Sequence, residues 1–151
     1  MIVIGSDHGG LELKEAICAA LAARGLEVDD YGPDNGESVD YPDFAEKVAG
    51  AVSRGEADLG ILVCGTGIGM SIVANKFPGV RAALAADEFM AQMARQHNNA
   101  NILVLGGRVL TVEKALNMVN VWLDSSYEGG RHQRRLDKIA RVEAAVRAGK
   151  L

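Results

Sequence analysis

The chain is poor in the residues that staple, break or stack a fold: of 151 residues only two are cysteine and three proline, and aromatic side chains make up 5%. Two cysteines, Cys18 and Cys64, are too few for a disulfide framework, which points to a reducing compartment. Positive charge is short as well. Sixteen Lys and Arg against twenty Asp and Glu leave a formal net charge of −4. A dedicated nucleic-acid or membrane-surface binder needs a basic face to displace counterions or meet lipid headgroups, so neither partner is expected. No apolar run approaches the roughly 20 residues that span a bilayer, and "MIVIGSDH" lacks the charged start and longer apolar core of a signal peptide. A cytoplasmic setting is expected. His8, His97 and His132 are scattered, with no Cys-x-x-Cys or His-rich pair among them, so no metal is expected.

What the chain does have is apolar content, 48% of its residues, enough for one sizeable core and a single domain over residues 1–151. Short apolar runs read as strands at Ile2–Ile4, Leu26–Tyr31, Leu59–Cys64, Arg81–Ala86 and Asn101–Gly106. Their mostly continuous apolar character suits strands covered on both faces. Between them, Leu13, Ile17 and Leu21 recur every four residues, and Val112, Leu116, Val119 and Leu123 trace a similar helical stripe. Strands alternating with helices predict a three-layer α/β/α Rossmann-like sandwich around a parallel five-stranded sheet. From about Gly130 to Arg147, Leu136, Ile139, Val142 and Val146 share one side of a charged segment, which predicts a C-terminal docking helix.

Open sheets of this class bind ligands beyond the carboxyl ends of their strands, where the strand order reverses. Two glycine-bearing turns follow strands: "GSDHGG" after the first and "CGTGIG" after the third. If those strands are neighbours, the turns face one crevice. The second runs strand, glycine loop, helix, so its free N–H groups make an anion-favouring nest. It is not a P-loop, because no Lys-Ser or Lys-Thr follows the last glycine. A dinucleotide site is the rival reading, with Asp87 at the end of the next strand placed for a ribose hydroxyl, though the third glycine comes one residue early.

Cys64 shifts the balance, because a dinucleotide fingerprint has no use for a thiol at its first step. A free thiol has a pKa of roughly 8.5, lowered beside a helix N-terminus, yet a cysteine ending an apolar strand is more often a buried small hydrophobe. Cys18, inside an amphipathic helix, has only that second reading. Among the histidines, His8 stands at a strand's carboxyl end beside Asp7, His97 lies in "RQHNNAN" before the fifth strand, and His132 reads as a surface or satisfied core residue. Finally, Arg131 and Arg135 fall four apart on one helical face, either a solvated basic face or a phosphate clamp that Arg108 could join.

Taken together, "SDHGG", "DYPDFA", "CGTGIGMSIVANK", "RQHNNAN" and "YEGGRHQRRL" occur in an order that resembles the type B ribose-5-phosphate isomerases and their galactose- and allose-6-phosphate isomerase relatives. The resemblance spans essentially the whole chain. It implies a homodimer or tetramer with the catalytic cleft at the subunit interface, and neither a metal nor an organic cofactor. It also implies Cys64 as the base that moves a proton between C1 and C2, and His97, with Asn98 beside it, as the group that opens the furanose. Asp7 and His8 match substrate contacts, and Tyr41 a cleft residue. The amides of Gly65, Thr66, Gly67, Ile68 and Gly69, helped by the Thr66 hydroxyl, match an anion hole. Arg108, Arg131 and Arg135 match arginines that engage the phosphate or nearby substrate oxygens. One branch of the family carries a catalytic glutamate where Met70 stands here, so this chain resembles the cysteine branch. The implied substrate pair is D-ribose 5-phosphate and D-ribulose 5-phosphate. The alternatives are a six-carbon sugar phosphate or, in a different class, a nucleotide-binding module built on "GTGIG".

Overall fold

In a computed structural model that describes residues 1–151, the five expected strands are β1 (Ile2–Ser6), β2 (Val28–Asp30), β3 (Leu59–Cys64), β4 (Ala82–Leu84) and β5 (Ile102–Gly106). All pairings are parallel, in the order β2-β1-β3-β5-β4. The period of two along each strand divides the core. Ile2, Ile4, Ile61, Val63, Leu103 and Leu105 enter one buried cluster, while Val3, Leu62, Cys64, Ile102 and Val104 enter the other. Both faces are therefore covered, as the continuous apolar runs required.

Six helices form, and the first five supply the cover: α1 (Leu11–Ala23), α2 (Tyr41–Ser53), α3 (Ile68–Ala74), α4 (Glu88–Gln96), α5 (Val112–Asp124) and α6 (Arg131–Arg147). Helices α1, α4 and α5 bring Leu13, Ile17, Ala91, Met118 and the fully buried Trp122 to one face. Helices α2 and α3 bring Val48, Ala49, Met70 and Ala74 to the other. Helix starts follow local chemistry. Asp87 accepts from the Met90 N–H at 2.8 Å, Thr111 accepts from the Lys114 N–H at 3.2 Å, and Pro42 fits the first turn of α2.

Two features depart from the sequence expectation, and a third lies outside it. The outer strands β2 and β4 are shorter than their apolar runs. Residues beyond them still bond to the neighbouring strand, Tyr31 N–H to Ile4 O at 2.8 Å and Ala85 N–H to Val104 O at 3.2 Å, but with one partner each the edges leave the ladder early. Helix α6 forms, yet its apolar stripe does not hold it down: Ile139, Val142 and Val146 are 53%, 55% and 56% exposed. Its anchors on this chain are polar and aromatic, the buried His132 and a Glu143 carboxylate accepting from Gly79 N–H at 3.0 and 3.2 Å.

The third feature is Lys14, which sits on α1 at 1% exposure. Its ammonium donates to both Asp30 oxygens and to Pro33 O, each at 2.7 Å, tying α1 to the turn after β2. Asp30 also accepts from Gly32 N–H at 2.8 Å, and Gly32 O accepts from Ser6 N–H at 3.0 Å, so the clamp reaches the end of β1. Deleting one partner of a buried pair strands the other, but Asp30 keeps a water-facing side that softens the loss. Lys14→Met should cost about 2 kcal/mol, a fall in Tm of about 6 °C by thermal melting.

Candidate active site

The strand order reverses between β1 and β3, since β1 leads to β2 on one side and β3 to β5 on the other. Both glycine turns therefore open at the switch point. Ser6 pairs with Val63, and the chain leaves β1 with Asp7 N–H bonded to Val63 O at 3.1 Å. Gly10 lies so close to β3 that a Cβ there would meet the Val63 carbonyl oxygen at 2.6 Å, so no larger residue fits without moving the backbone. In this first turn Asp7 accepts from Gly10 N–H at 3.0 Å, and His8 Nδ1 accepts from Val39 N–H at 3.2 Å. The neutral His8 ring therefore carries its proton on Nε2, as a donor.

At the end of β3, Cys64 is buried, and Gly67 N–H points at its sulfur, 3.1 Å away. Gly67 has φ +82, a left-handed conformation open to glycine, and a Cβ there would meet a Leu84 methyl at 2.6 Å. This turn carries the chain from β3 into α3 while keeping the main chain wrapped around the thiol. Ile68 N–H bonds the Thr66 hydroxyl at 3.3 Å. Two of the five expected anion-hole amides are thus used within the loop, whereas Gly65, Thr66 and Gly69 have no backbone acceptor for theirs. Tyr41, from the start of α2, lies directly against Gly69: a Cβ there would come within 2.4 Å of its ring.

Arg108 falls with this group instead of with the tail arginines. Its guanidinium passes over both glycine turns, 3.5 Å from where a Gly9 Cβ would stand and 3.4 Å from a Gly65 Cβ. Its placement is fixed by the backbone, with Gly107 N–H on Cys64 O at 2.7 Å and Arg108 N–H on Gly65 O at 2.9 Å. Asp7, His8, Cys64, the glycine loop, Tyr41 and Arg108 thus form one group at the switch point.

A second group stands apart from it. His97, Asn98, Arg131 and Arg135 line a cleft of about 420 Å³ together with His132, Leu136 and Ile139, and neither Cys64 nor Arg108 borders it. His132 is more than the surface or satisfied core residue expected. Its ring stacks on His97 with centroids 4.1 Å apart and planes 16° from parallel, and its Nε2 lies 3.6 Å from a Glu128 carboxylate oxygen. His97, Glu128 and His132 thus have their ligating atoms within 4.8 Å of one another. Stacked rings, however, send their in-plane lone pairs side by side. A metal midway would sit about 2 Å out of both planes, so this arrangement holds imidazoles against each other and does not chelate. The signal for His132 was its place beside Arg131 in "GGRHQRR".

Comparison with known proteins settles the family. The model of the Ribose/Galactose Isomerase family matches residues 2–139. The chain belongs to that family. It is 50% identical over 142 residues to ribose-5-phosphate isomerase B of Escherichia coli (strain K12), covering 94% of this chain and 95% of that one. A solved ribose-5-phosphate isomerase B from Clostridium thermocellum superposes with a TM-score of 0.94 at 54% identity, over 96% of this chain and 98% of that one. The Mycoplasma genitalium enzyme, solved with bound ribulose-5-phosphate, gives a TM-score of 0.92 at 48% identity, over 95% of each chain.

Within this family frame the dinucleotide alternative loses its parts. Asp87, the expected ribose partner, caps α4, and the Tyr41 ring covers the third glycine of the loop. The two thiols are also unlike. Cys18 lies half-buried on α1, and burial, followed by the Asp30 carboxylate, pushes its pKa up, so it remains a protonated, unreactive thiol near neutral pH. No helix is long and apolar enough to cross a membrane.

Proposed function

We propose that the protein is an aldose–ketose isomerase that interconverts D-ribose 5-phosphate and D-ribulose 5-phosphate through a cis-enediolate. The observation that carries this reading is the near full-length likeness to a solved relative with ribulose-5-phosphate bound. The switch-point geometry supports it from the chemical side. Removing a proton α to a carbonyl builds negative charge on the carbonyl oxygen, which needs a base at the carbon and preorganised donors at the oxygen. Cys64 is the base: its thiolate takes the proton from C2 and returns it to C1 while a proton passes from O2 to O1. The amides of Gly65, Thr66 and Gly69, with the Thr66 hydroxyl, face the growing oxyanion, and each such donor lowers the barrier by about 3 kcal/mol. Gly67 and Ile68 hold the loop in shape. Asp7 and His8 grip sugar hydroxyls from the β1 side, and Tyr41 closes the cleft.

In this reading His97 opens the furanose, Asn98 orients the sugar, and Arg131 and Arg135 clamp the phosphate, with Arg108 on nearby oxygens. Remote binding energy at the phosphate then orients the reacting carbons. The two groups lie apart in one chain, so we assign the complete site to a homodimer, alone or paired into a tetramer. One protomer supplies Cys64 and its loop, and its partner supplies the His97 cleft. No metal or organic cofactor takes part, and the free thiols suit the cytoplasm.

A coupled assay over aldose phosphates tests the substrate. Turnover per unit KM on ribose 5-phosphate should exceed that on allose 6-phosphate by about tenfold or more, because one extra carbon displaces the phosphate from its clamp. A preference for the six-carbon sugar would overturn the assignment, and saturable nucleotide binding without isomerisation would overturn the reaction class.

A further inference from the structure

We infer that Arg81 is a positioning residue for ring opening: its guanidinium holds the turn that presents His97 to the cleft. The inference rests on the assignment of ring opening to His97. Helix α4 ends at Gln96 with His97 as its C-cap, and the chain must then reverse into β5 within a few residues. It does so through Asn99, the single non-glycine residue at positive φ, +44°. The last helical carbonyls find backbone donors, Ala94 O from Ala100 N–H at 2.9 Å, Arg95 O from Asn99 N–H at 3.2 Å and Gln96 O from Glu128 N–H at 3.0 Å, which leaves the carbonyls of the turn itself, Asn98 and Asn99, to a donor from elsewhere in the fold.

Arg81, one residue before β4, collects them. Its Nε donates to Asn98 O at 3.2 Å and Asn99 O at 3.1 Å, its Nη2 to Asn99 O at 2.9 Å, and its Nη1 to Gly79 O at 3.4 Å. The arginine is itself fixed to the sheet edge. Its N–H bonds Asn101 Oδ1 at 2.7 Å, its carbonyl accepts from Asn101 and Ile102 N–H at 3.1 and 3.3 Å, and Asn101 Nδ2 returns to Gly79 O at 2.9 Å. The ion pairs of the fold do not include it. A half-buried cation that bonds carbonyls instead of a carboxylate serves geometry, since the rigid guanidinium fork fixes several acceptors at once. Arg95 braces the same turn from α4 through Ala100 O at 2.9 Å, and burial, then the Arg81 charge, lowers its pKa from the ordinary arginine value. The turn that follows His97 is thus held by Arg81, while the His97 ring is held by the stack on His132.

Chemistry provides a readout that a merely structural arginine would not move. A ketopentose 5-phosphate has its O5 esterified and cannot close a furanose, whereas the aldose is mostly ring. Ring opening is therefore needed in one direction only. Initial velocity is measured in both directions against enzyme concentration for the wild type, Arg81→Met, Arg81→Lys and His97→Asn. The wild type should stay proportional throughout. Arg81→Met should stay proportional on the ketose, but on the aldose bend towards the spontaneous opening rate, about fivefold or more below proportionality at the highest enzyme. Arg81→Lys, which reaches fewer carbonyls, should bend later, and it decides the matter if Arg81→Met does not fold. If His97→Asn bends while both Arg81 variants stay proportional, or lose activity equally in both directions, the inference is overturned and the His97 assignment stands. If His97→Asn itself stays proportional, the His97 assignment has failed and the inference with it.

Discussion

Replacing Cys64 by alanine lowers isomerase turnover by about 10³-fold or more, the largest single effect expected in this protein. A thousandfold loss is about 4 kcal/mol of barrier, more than one oxyanion donor supplies, because the variant retains the amide cradle and loses only the group that accepts the carbon-bound proton. Stability should fall by about 1 kcal/mol, since a single buried sulfur leaves a small void. Steady-state kinetics with a thermal melt separate the two quantities. Cys18→Ser is the control: its half-buried thiol, pushed up in pKa by burial, lies on α1 away from both groups, and activity should stay within about twofold of wild type. Wild-type-like turnover in Cys64→Ala would remove the thiol from the mechanism.

The second large effect is a recovery. Assayed on ribose 5-phosphate at high enzyme concentration, Cys64→Ala chains should be nearly inactive alone and His97→Asn chains held to the spontaneous ring-opening rate, yet refolding an equal mixture should restore enzyme-proportional activity to about a quarter of wild type. Half of the dimers in a random mixture are mixed. In each mixed dimer one site receives an intact Cys64 from one chain and an intact His97 from the other, while its second site receives both lesions. Were both groups to serve one site within a single chain, no pairing of these variants would regain activity. The experiment therefore reads the subunit sharing directly, and a mixture that stays at background would overturn the interface site while leaving the thiol chemistry intact.

Much of the fold was legible in the chain because secondary structure reports its own burial. The run Leu59–Cys64 is apolar throughout since both of its faces are covered, and Leu13, Ile17 and Leu21 recur every four residues since one face of α1 meets the sheet. The site at the switch point was legible for a similar reason. Close backbone approach at Gly10, Gly67 and Gly69 leaves no room for a Cβ, so the need for glycine is written into the sequence. Helix α6 was legible as a helix but not as a contact, because an apolar stripe records that something covers it without recording what. The roles of Lys14 and Arg81 were not legible at all, and that of His132 showed only in its place beside Arg131. A charged or imidazole side chain has the same local signature whether it faces water or, as here, is spent on carbonyls, a carboxylate and another ring far away in sequence.

By itself, then, the order of residues determined the layered α/β architecture, the glycine turns at the strand ends and the thiol among them, since hydrophobic period and steric exclusion act within a few residues. Only the tertiary structure decided that β1 and β3 are neighbours, that Arg108 lies over their turns, and that His97 stacks on His132 across the chain from Cys64. Those arrangements depend on contacts between distant segments, whose energies come from packing and hydrogen bonding in three dimensions and leave no local pattern to read.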